Sequence, residues 1–159
     1  KILVNNDPLT FQQAKKIMKE ENLNNPSTQL FKNSKNIEIV QKAMFSSTNE
    51  RYGTSYRSRI DDPKYQFAGK TGTAQVKRIS KRERELDLKI DQIPYKDRDH
   101  ALYIAYGPYK NPRYALSIIV EHGGSGSSAA APMAKKLFKL IIDRDELREK
   151  QSNFEEINI

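Results

Sequence analysis

Residues 70–76 read Lys70-Thr71-Gly72-Thr73-Ala74-Gln75-Val76, and the fold and the chemistry of this chain both turn on them. The stretch predicts a β-strand carrying an ammonium, two hydroxyls and a bare glycine at an exposed edge. Alternation of side chains along a strand puts Thr71 and Thr73 on one face and Lys70 on the other. Gly72 leaves nothing projecting at mid-strand, so the backbone of a ligand can approach closely. An edge of this kind can pair with an extended peptide while its polar groups hold the peptide's carboxylate.

Outward from that strand, Ala101–Tyr106 (ALYIAY) and Tyr114–Glu121 (YALSIIVE) flank a turn at 107–112 rich in glycine and proline. They predict two strands in hairpin order, and their near-continuous apolar character predicts central strands covered on both faces. Gly123-Gly124-Ser125-Gly126-Ser127-Ser128 reads as a flexible loop leading into a helix with Pro132 in its first turn. Ala130, Met133, Ala134, Leu137 and Ile141 are that helix's expected buried stripe. Upstream, Asp7-Pro8 predicts a helix start, with Phe11, Ala14, Ile17 and Met18 as its stripe to about residue 21. A second helix is expected after Asn36, with Ile37, Val40, Ala43 and Met44 facing inward. Asp61-Asp62 before Pro63 reads as a turn. The expected fold class is α+β, an antiparallel sheet with packed helices.

Between Lys77 and Asp99 the chain carries eight Lys/Arg against six Asp/Glu. So balanced a run predicts a solvated, mobile excursion, an insertion at 77–99. Residues 1–150 are expected to form one domain portion and residues 151–159 a tail that frays.

At 159 residues, with 36% hydrophobic and 30% charged residues, the chain has room for one core and falls outside the disordered class. No run of eighteen apolar residues is present, the length a membrane-spanning helix needs. A chain that opens on Lys1 without a charged-then-apolar leader reads as a piece of a longer protein, or a processed or recombinant form. The absence of cysteine removes disulfides, thiolate catalysis and sulfur-ligated zinc. His100 and His122 are the only imidazoles and stand far apart in sequence, which argues against a histidine-rich metal site. The formal charge of +8 points to anionic partners or to a solvated basic surface. No cluster of base-stacking aromatics accompanies the charge, so nucleic acid is not an expected partner.

Phosphate binding fails on spacing. A phosphate-binding loop needs a glycine five residues before Gly-Lys-Thr, and Lys64 holds that place ahead of Gly69-Lys70-Thr71. The 123–128 loop has no suitably spaced lysine and does not follow a first strand. His122 has no acidic orienter assignable from spacing, so it is read as structural rather than as a general base. Serine acyl transfer survives. Lys-Thr-Gly accompanies Ser-x-x-Lys and Ser-x-Asn in enzymes of that chemistry. Here the triplet is in a strand pattern, is followed by Thr73, a hairpin and a glycine-rich turn, and leads to an Ala-Ala-Pro helix.

With those residues in order, the chain resembles the C-terminal portion of the transpeptidase domain of class B penicillin-binding proteins, most nearly the penicillin-binding protein 2 type. The resemblance rests on Tyr52-Gly53-Thr54-Ser55-Tyr56-Arg57, Phe67 to Val76, Asp99-His100-Ala101, Ala105-Tyr106-Gly107-Pro108, Asn111 to Ala115, and Glu121 to Gly126 through Ala129-Ala130-Ala131-Pro132. It covers roughly residues 1–142. It implies that Lys70 lies behind a substrate cleft and adds positive potential for proton transfer. It implies that Thr71 and Thr73 offer hydroxyls to the carboxylate of a D-Ala terminus or a β-lactam, and that Gly72 keeps the strand flat. The backbone N–H of Thr73 becomes one oxyanion donor, worth about 3 kcal/mol of transition-state stabilisation.

Two departures limit the match. No lysine has a serine three places before it, so Ser-x-x-Lys, and with it the nucleophile, is missing. Ser47-Thr48-Asn49 fits Ser-x-Asn formally but lies too close upstream of the triplet, and is read as coincidence. Leu102 stands where these proteins usually carry an aromatic residue. The resemblance implies no metal and no cofactor. It implies peptidoglycan stem peptides and β-lactams as ligands, cell-elongation proteins as partners, and an inner-membrane anchor outside this chain with these residues on the periplasmic side. A β-lactam sensor or serine β-lactamase relative and a non-catalytic basic module for anionic polymer are the alternatives. A strand edge lacking its neighbours makes a dimer of the fragment a further expectation.

Overall fold

The computed structural model describes residues 16, 33–78 and 88–157; the helix expected over 7–21 lies outside them apart from residue 16, which is helical. Two compact units are present: residues 38–139, and residues 1–37 with 140–159. Helix α1 spans Ser34–Asn49, and strand β1 Ala68–Ala74. Strands β2 (His100–Gly107) and β3 (Tyr114–Val120) follow. A π-helical turn, Gly126–Ala130, leads into α2, Ala131–Ile157. The strands form one antiparallel sheet in the order β1-β2-β3.

Burial alternates strictly along β2. Ala101, Tyr103, Ala105 and Gly107 are buried, while Leu102, Ile104 and Tyr106 are not. The buried face meets small and aromatic groups. Phe67, immediately before β1, stacks on Phe138 of α2 with centroids 4.9 Å apart and meets Tyr103 edge-on at 6.4 Å. Ala68, Ala101, Ala105, Ala130, Ala131 and Ala134 complete this core, and the π-helical turn lies directly against the strands, where a Cβ at Gly126 would overlap the backbone of Leu102 and Gly72. The 107–112 turn contains a cis peptide bond between Gly107 and Pro108. It closes on itself through Arg113 N–H donating to the Gly107 carbonyl at 3.0 Å.

Four sequence expectations change. The hairpin strands are not covered on both faces: β3 pairs only with β2 among the described residues, and Ile104 and Ile119 on the outer face are 52% and 64% exposed. Their apolar run therefore marks a surface rather than a double-sided core. In α1, Val40 and Ala43 are exposed and Ile37 and Met44 only half-buried. The covered part of the helix is its C-terminal end, where Thr48 is fully buried. Ala130, at the end of the π-helical turn, and Ala134 are buried as expected, but in α2 the other buried positions include Ala131, Phe138, Ile142 and Asp145 rather than Met133, Leu137 and Ile141, so the stripe continues one residue on. Both patterns have helical spacing, and the aromatic stack through Phe138 decides between them. The helix also continues to Ile157, past the expected start of a tail at 151.

The charged excursion is the fourth change, over residues 88–99; residues 79–87 lie outside those described. Two short 3-10 turns, Ile90–Gln92 and Tyr95–Asp97, tie this segment down. Lys77 pairs with Asp97 at 3.3 Å, Arg98 Nε donates to the Ile93 carbonyl at 2.9 Å, and the Tyr95 ring lies 4.9 Å from that of His122. The described part of the excursion thus has local order, with one ion pair, while most of its residues stay exposed to solvent as expected. At 61–65 a turn forms as expected: Lys64 N–H donates to Asp62 Oδ1 at 2.9 Å and Tyr65 N–H to the Asp62 carbonyl at 3.0 Å.

The choice of stripe in α2 is measurable. Phe138→Ala is expected to lower unfolding free energy by about 3–5 kcal/mol, and Met133→Ala by about 1 kcal/mol or less because that side chain is already half in water. Urea denaturation of the two variants reads the difference, and equal losses would contradict the burial described.

Candidate active-site wall

Strand β1 pairs residue by residue with β2: Lys70 opposite Ile104, Thr71 opposite Tyr103, Gly72 opposite Leu102, Thr73 opposite Ala101. Lys70 therefore shares the outer face with Ile104, while Thr71 and Thr73 share the face of Tyr103. Among the described residues β1 has no strand on its other side, which leaves alternate backbone groups of that edge open to a ligand. Lys70 and Thr73 are exposed, and Thr71 and Gly72 half-buried. Lys70 Nζ donates to the Thr71 carbonyl at 2.7 Å. That bond holds the ammonium close along the strand.

What fixes this edge is a buried cluster of hydroxyls. Gly69 N–H donates to Thr48 Oγ1 at 3.0 Å, and the same oxygen lies 2.9 Å from the Tyr103 hydroxyl and 3.3 Å from Ser55 Oγ. Ser55 Oγ lies 3.0 Å from the Tyr103 hydroxyl and donates to the Ser47 carbonyl at 3.0 Å. A Cβ at Gly69 would overlap the Tyr103 hydroxyl, so glycine is required immediately before Lys70. Asn49 Nδ2 adds a bond to the Phe67 carbonyl at 2.9 Å. Ser47-Thr48-Asn49, a formal Ser-x-Asn, is thus occupied by packing and strand anchoring.

A second, exposed chain of hydroxyls reaches Thr71 on β1. Ser47 Oγ lies 3.2 Å from Thr54 Oγ1, and Thr54 Oγ1 lies 3.2 Å from Thr71 Oγ1. Each hydroxyl carries one proton. If Thr71 donates to a ligand carboxylate, Thr54 can donate to Thr71 and Ser47 to Thr54, which biases the Thr71 proton outward. Gly53 makes this possible, because a Cβ there would overlap the carbonyls of Ser46 and Ser47. Sequence reading singled out Lys70, Thr71, Gly72 and Thr73 but not Ser47 or Thr54. Their signal lay in the Gly53-Thr54 pair, whose meaning depends on where the turn folds back.

Beside Lys70 lies an open groove of about 600 Å³ lined by Ile39, Val40, Ala43, Met44, Tyr52 and Ile104. The stripe of α1 expected in the core is one wall of this groove. At the far end of β2, His100 and His122 come together despite their separation in sequence, with ring centroids 4.8 Å apart. Antiparallel pairing of β2 with β3 brings this about. His122, at φ +54°, donates its N–H to His100 Nδ1 at 2.9 Å, and its own Nδ1 lies 3.0 Å from the Arg98 carbonyl. Asp99 joins the same corner: its side chain accepts from Val76 N–H at 3.3 Å and its carbonyl from Gly124 N–H at 2.8 Å. The histidines are structural, tying the glycine-rich loop to the end of the sheet.

Residues 3–139 match the model of the penicillin binding protein transpeptidase domain. The chain belongs to that family. It is 38% identical over 105 residues to peptidoglycan D,D-transpeptidase MrdA of Salmonella typhimurium, covering 66% of this chain and 16% of that relative's length. The structure of Pseudomonas aeruginosa PBP2 in complex with WCK 5153 matches at TM-score 0.53 and 30% identity, covering 70% of this chain and 20% of that one. The Helicobacter pylori PBP2–MreC complex matches at TM-score 0.50 and 33% identity over 67% of this chain and 18% of that one. The chain therefore spans about a sixth of the curated relatives' length, within their transpeptidase domain, and the α+β fold is that of the matched domain structures.

Two measurements test the wall's anchoring. Thr48→Val keeps the shape but leaves Gly69 N–H and the Tyr103 hydroxyl without that partner, and is expected to lower unfolding free energy by about 1–3 kcal/mol in urea. Burial raises the Tyr103 hydroxyl above the ordinary phenol range against the opposing bonds from Ser55 and Thr48, and burial with Tyr109 nearby pushes Tyr106 up to about 12. A raised folded pKa means the unfolded chain gives up these protons first. The stabilisation is thus complete below about pH 10, the unfolded tyrosine value, and falls as pH climbs toward 12. Unfolding free energy across pH 8–11 should stay level and then drop, with a shallower drop in Tyr103→Phe.

Proposed function

We propose that this chain supplies one wall of a serine D,D-transpeptidase cleft that cross-links peptidoglycan stem peptides and is acylated by β-lactams, with the nucleophilic serine contributed from outside these 159 residues. The observation that carries the reading is β1 as an edge of the sheet among the described residues, presenting Lys70 beside a groove and Thr71 at the end of a hydroxyl chain. Family membership and relatives named D,D-transpeptidases support it.

In this reading an extended peptide lies along β1. The Thr71 and Thr73 hydroxyls donate hydrogen bonds to its terminal carboxylate, and Gly72 leaves room for its backbone. Lys70 sets the positive potential in which the serine is deprotonated. The serine oxygen bonds to the penultimate carbonyl carbon, and the Thr73 N–H stabilises the oxyanion that forms. The C–N bond to the terminal D-Ala then breaks, and its nitrogen takes up a proton. A neighbouring amine attacks the acyl carbon, the ester bond between that carbon and the serine oxygen breaks, and the proton lost by the amine returns to the serine oxygen. No step calls for a metal or redox group. Residues 1–150 belong, in this proposal, to the transpeptidase domain. The parent protein would be anchored in the inner membrane with this part in the periplasm. The complex that Helicobacter pylori PBP2 forms with MreC supports elongation-machinery proteins as partners.

Intact-mass spectrometry tests the assignment in two arms. The chain alone is expected to form no covalent adduct with labelled penicillin, and a stoichiometric adduct would overturn the placement of the nucleophile elsewhere. The full-length parent protein is expected to acylate, and Lys70→Ala in that protein to slow acylation about 10²-fold or more. An unchanged rate would remove Lys70 from the chemistry.

A further inference from the structure

A second cleft, of about 340 Å³, shares Thr54 with the apolar groove but not Lys70. Its other walls are Arg51 and Arg57, the Tyr56 ring, and Ser127 and Ser128 from the π-helical turn. Both arginines are exposed, and neither has an ion-pair partner among the described residues. Arg59, two residues on, is different: its guanidinium pairs with Asp61 at 3.0 Å and lies 4.0 Å over the Tyr56 ring. One arginine of this turn is thus neutralised and stacked, while two others line a single concavity with no counter-charge among the described residues.

Two guanidiniums lining one small cleft repel each other, and an anion between them relieves that repulsion. Their planar forks suit a carboxylate, which each can bind through two parallel N–H bonds. Hydroxyls stand beside them. Ser127 Oγ lies 2.9 Å from Ser125 Oγ, so when Ser125 donates, the Ser127 proton is free for a ligand. Ser128 donates to the Ser125 carbonyl at 3.3 Å, which fixes its oxygen in the wall. Thr54 connects the cleft to the ligand strand through its 3.2 Å contact with Thr71. A peptide whose terminal carboxylate reaches Thr71 therefore lies beside this cleft, within reach of a second carboxylate on the same ligand.

We propose that the Arg51–Arg57 cleft is a second carboxylate subsite, which takes a side-chain carboxylate of the peptide lying along β1 and so selects for a dicarboxylate peptide over a monocarboxylate one. The proposal rests on the reading of β1 as a peptide-binding edge, and the test separates the two. The isotope-labelled chain is titrated with acetyl-D-Glu-D-Ala and with its neutral isostere acetyl-D-Gln-D-Ala, followed by the backbone amide signals of Gly53, Ser127 and Ser128. The acid is expected to bind about tenfold more tightly, which corresponds to about 1.4 kcal/mol. That preference should vanish in the Arg51→Ala/Arg57→Ala double variant, whose exposed positions leave the remaining spectrum native. Lys70→Ala should weaken both peptides alike and leave their ratio unchanged.

Equal affinity of the two peptides for the unaltered chain, or a preference that survives loss of both arginines, overturns the subsite. Glutarate separates it from the reading of β1. Arginine-dependent shifts at Ser127 and Ser128 with glutarate, in a chain that binds neither peptide, uphold the carboxylate site and reject β1 as the peptide edge. Absence of such shifts with glutarate rejects the carboxylate site itself.

Discussion

The hydroxyl of Thr48 is the atom on which the candidate wall depends. It sits at the buried end of α1 and receives the N–H of Gly69, the residue that precedes Lys70. It also touches the hydroxyls of Tyr103 on β2 and Ser55 in the connecting turn. Helix, turn, edge strand and central strand therefore meet at one oxygen. A buried polar group without a partner costs about 1–3 kcal/mol, and here three such groups satisfy one another. Any sliding of β1 relative to α1 would break several bonds together, so the register of Lys70 to Thr73 is set from behind rather than by the residues that face a ligand.

This division of labour runs through the larger unit. The inner face of the sheet is filled by alanines and by the Phe67–Phe138 stack, close-packed and tolerant of little change. The outer face and the β1 edge carry an ammonium, hydroxyls and exposed Ile104 and Ile119. The candidate site residues stand on a strand whose position is over-determined by the buried side, the arrangement that a preorganised binding edge would require. The two clefts meet at Thr54, so a single hydroxyl belongs to both the Lys70 side and the arginine side.

Much of this was legible in the sequence because it rests on short-range rules. A strand through Lys70–Ala74, the hairpin that follows, the turn at Asp62 and the opposite facing of Lys70 and Thr71 all derive from local spacing and are found, though β1 runs over Ala68–Ala74 and stops short of Gln75 and Val76. Family membership followed from an ordered string of motifs. The errors share one cause. Val40 and Ala43 have the spacing of a core stripe, yet they line an open groove. Met133 and Leu137 have the spacing of Ala134 and Phe138, yet the latter are buried. Apolar periodicity locates a face to be covered but does not say which of two overlapping faces meets the neighbouring element.

The polar residues show the same limit more sharply. His100 and His122 are 22 residues apart in sequence and meet edge-on in space because antiparallel pairing brings the start of β2 beside the end of β3. Ser47, Thr54 and Thr71 form a line of hydroxyls only because Gly53 lets the chain fold back over the end of α1. By itself the sequence determined the elements, the α+β class, the Lys-Thr-Gly edge and the absence of a Ser-x-x-Lys nucleophile from this stretch, since each depends on residue type and spacing along the chain. Tertiary structure alone decided which faces are core, which hydroxyls are linked and that Arg51 and Arg57 share a cleft, since each depends on contacts between residues whose separation along the chain carries no trace of their distance in space.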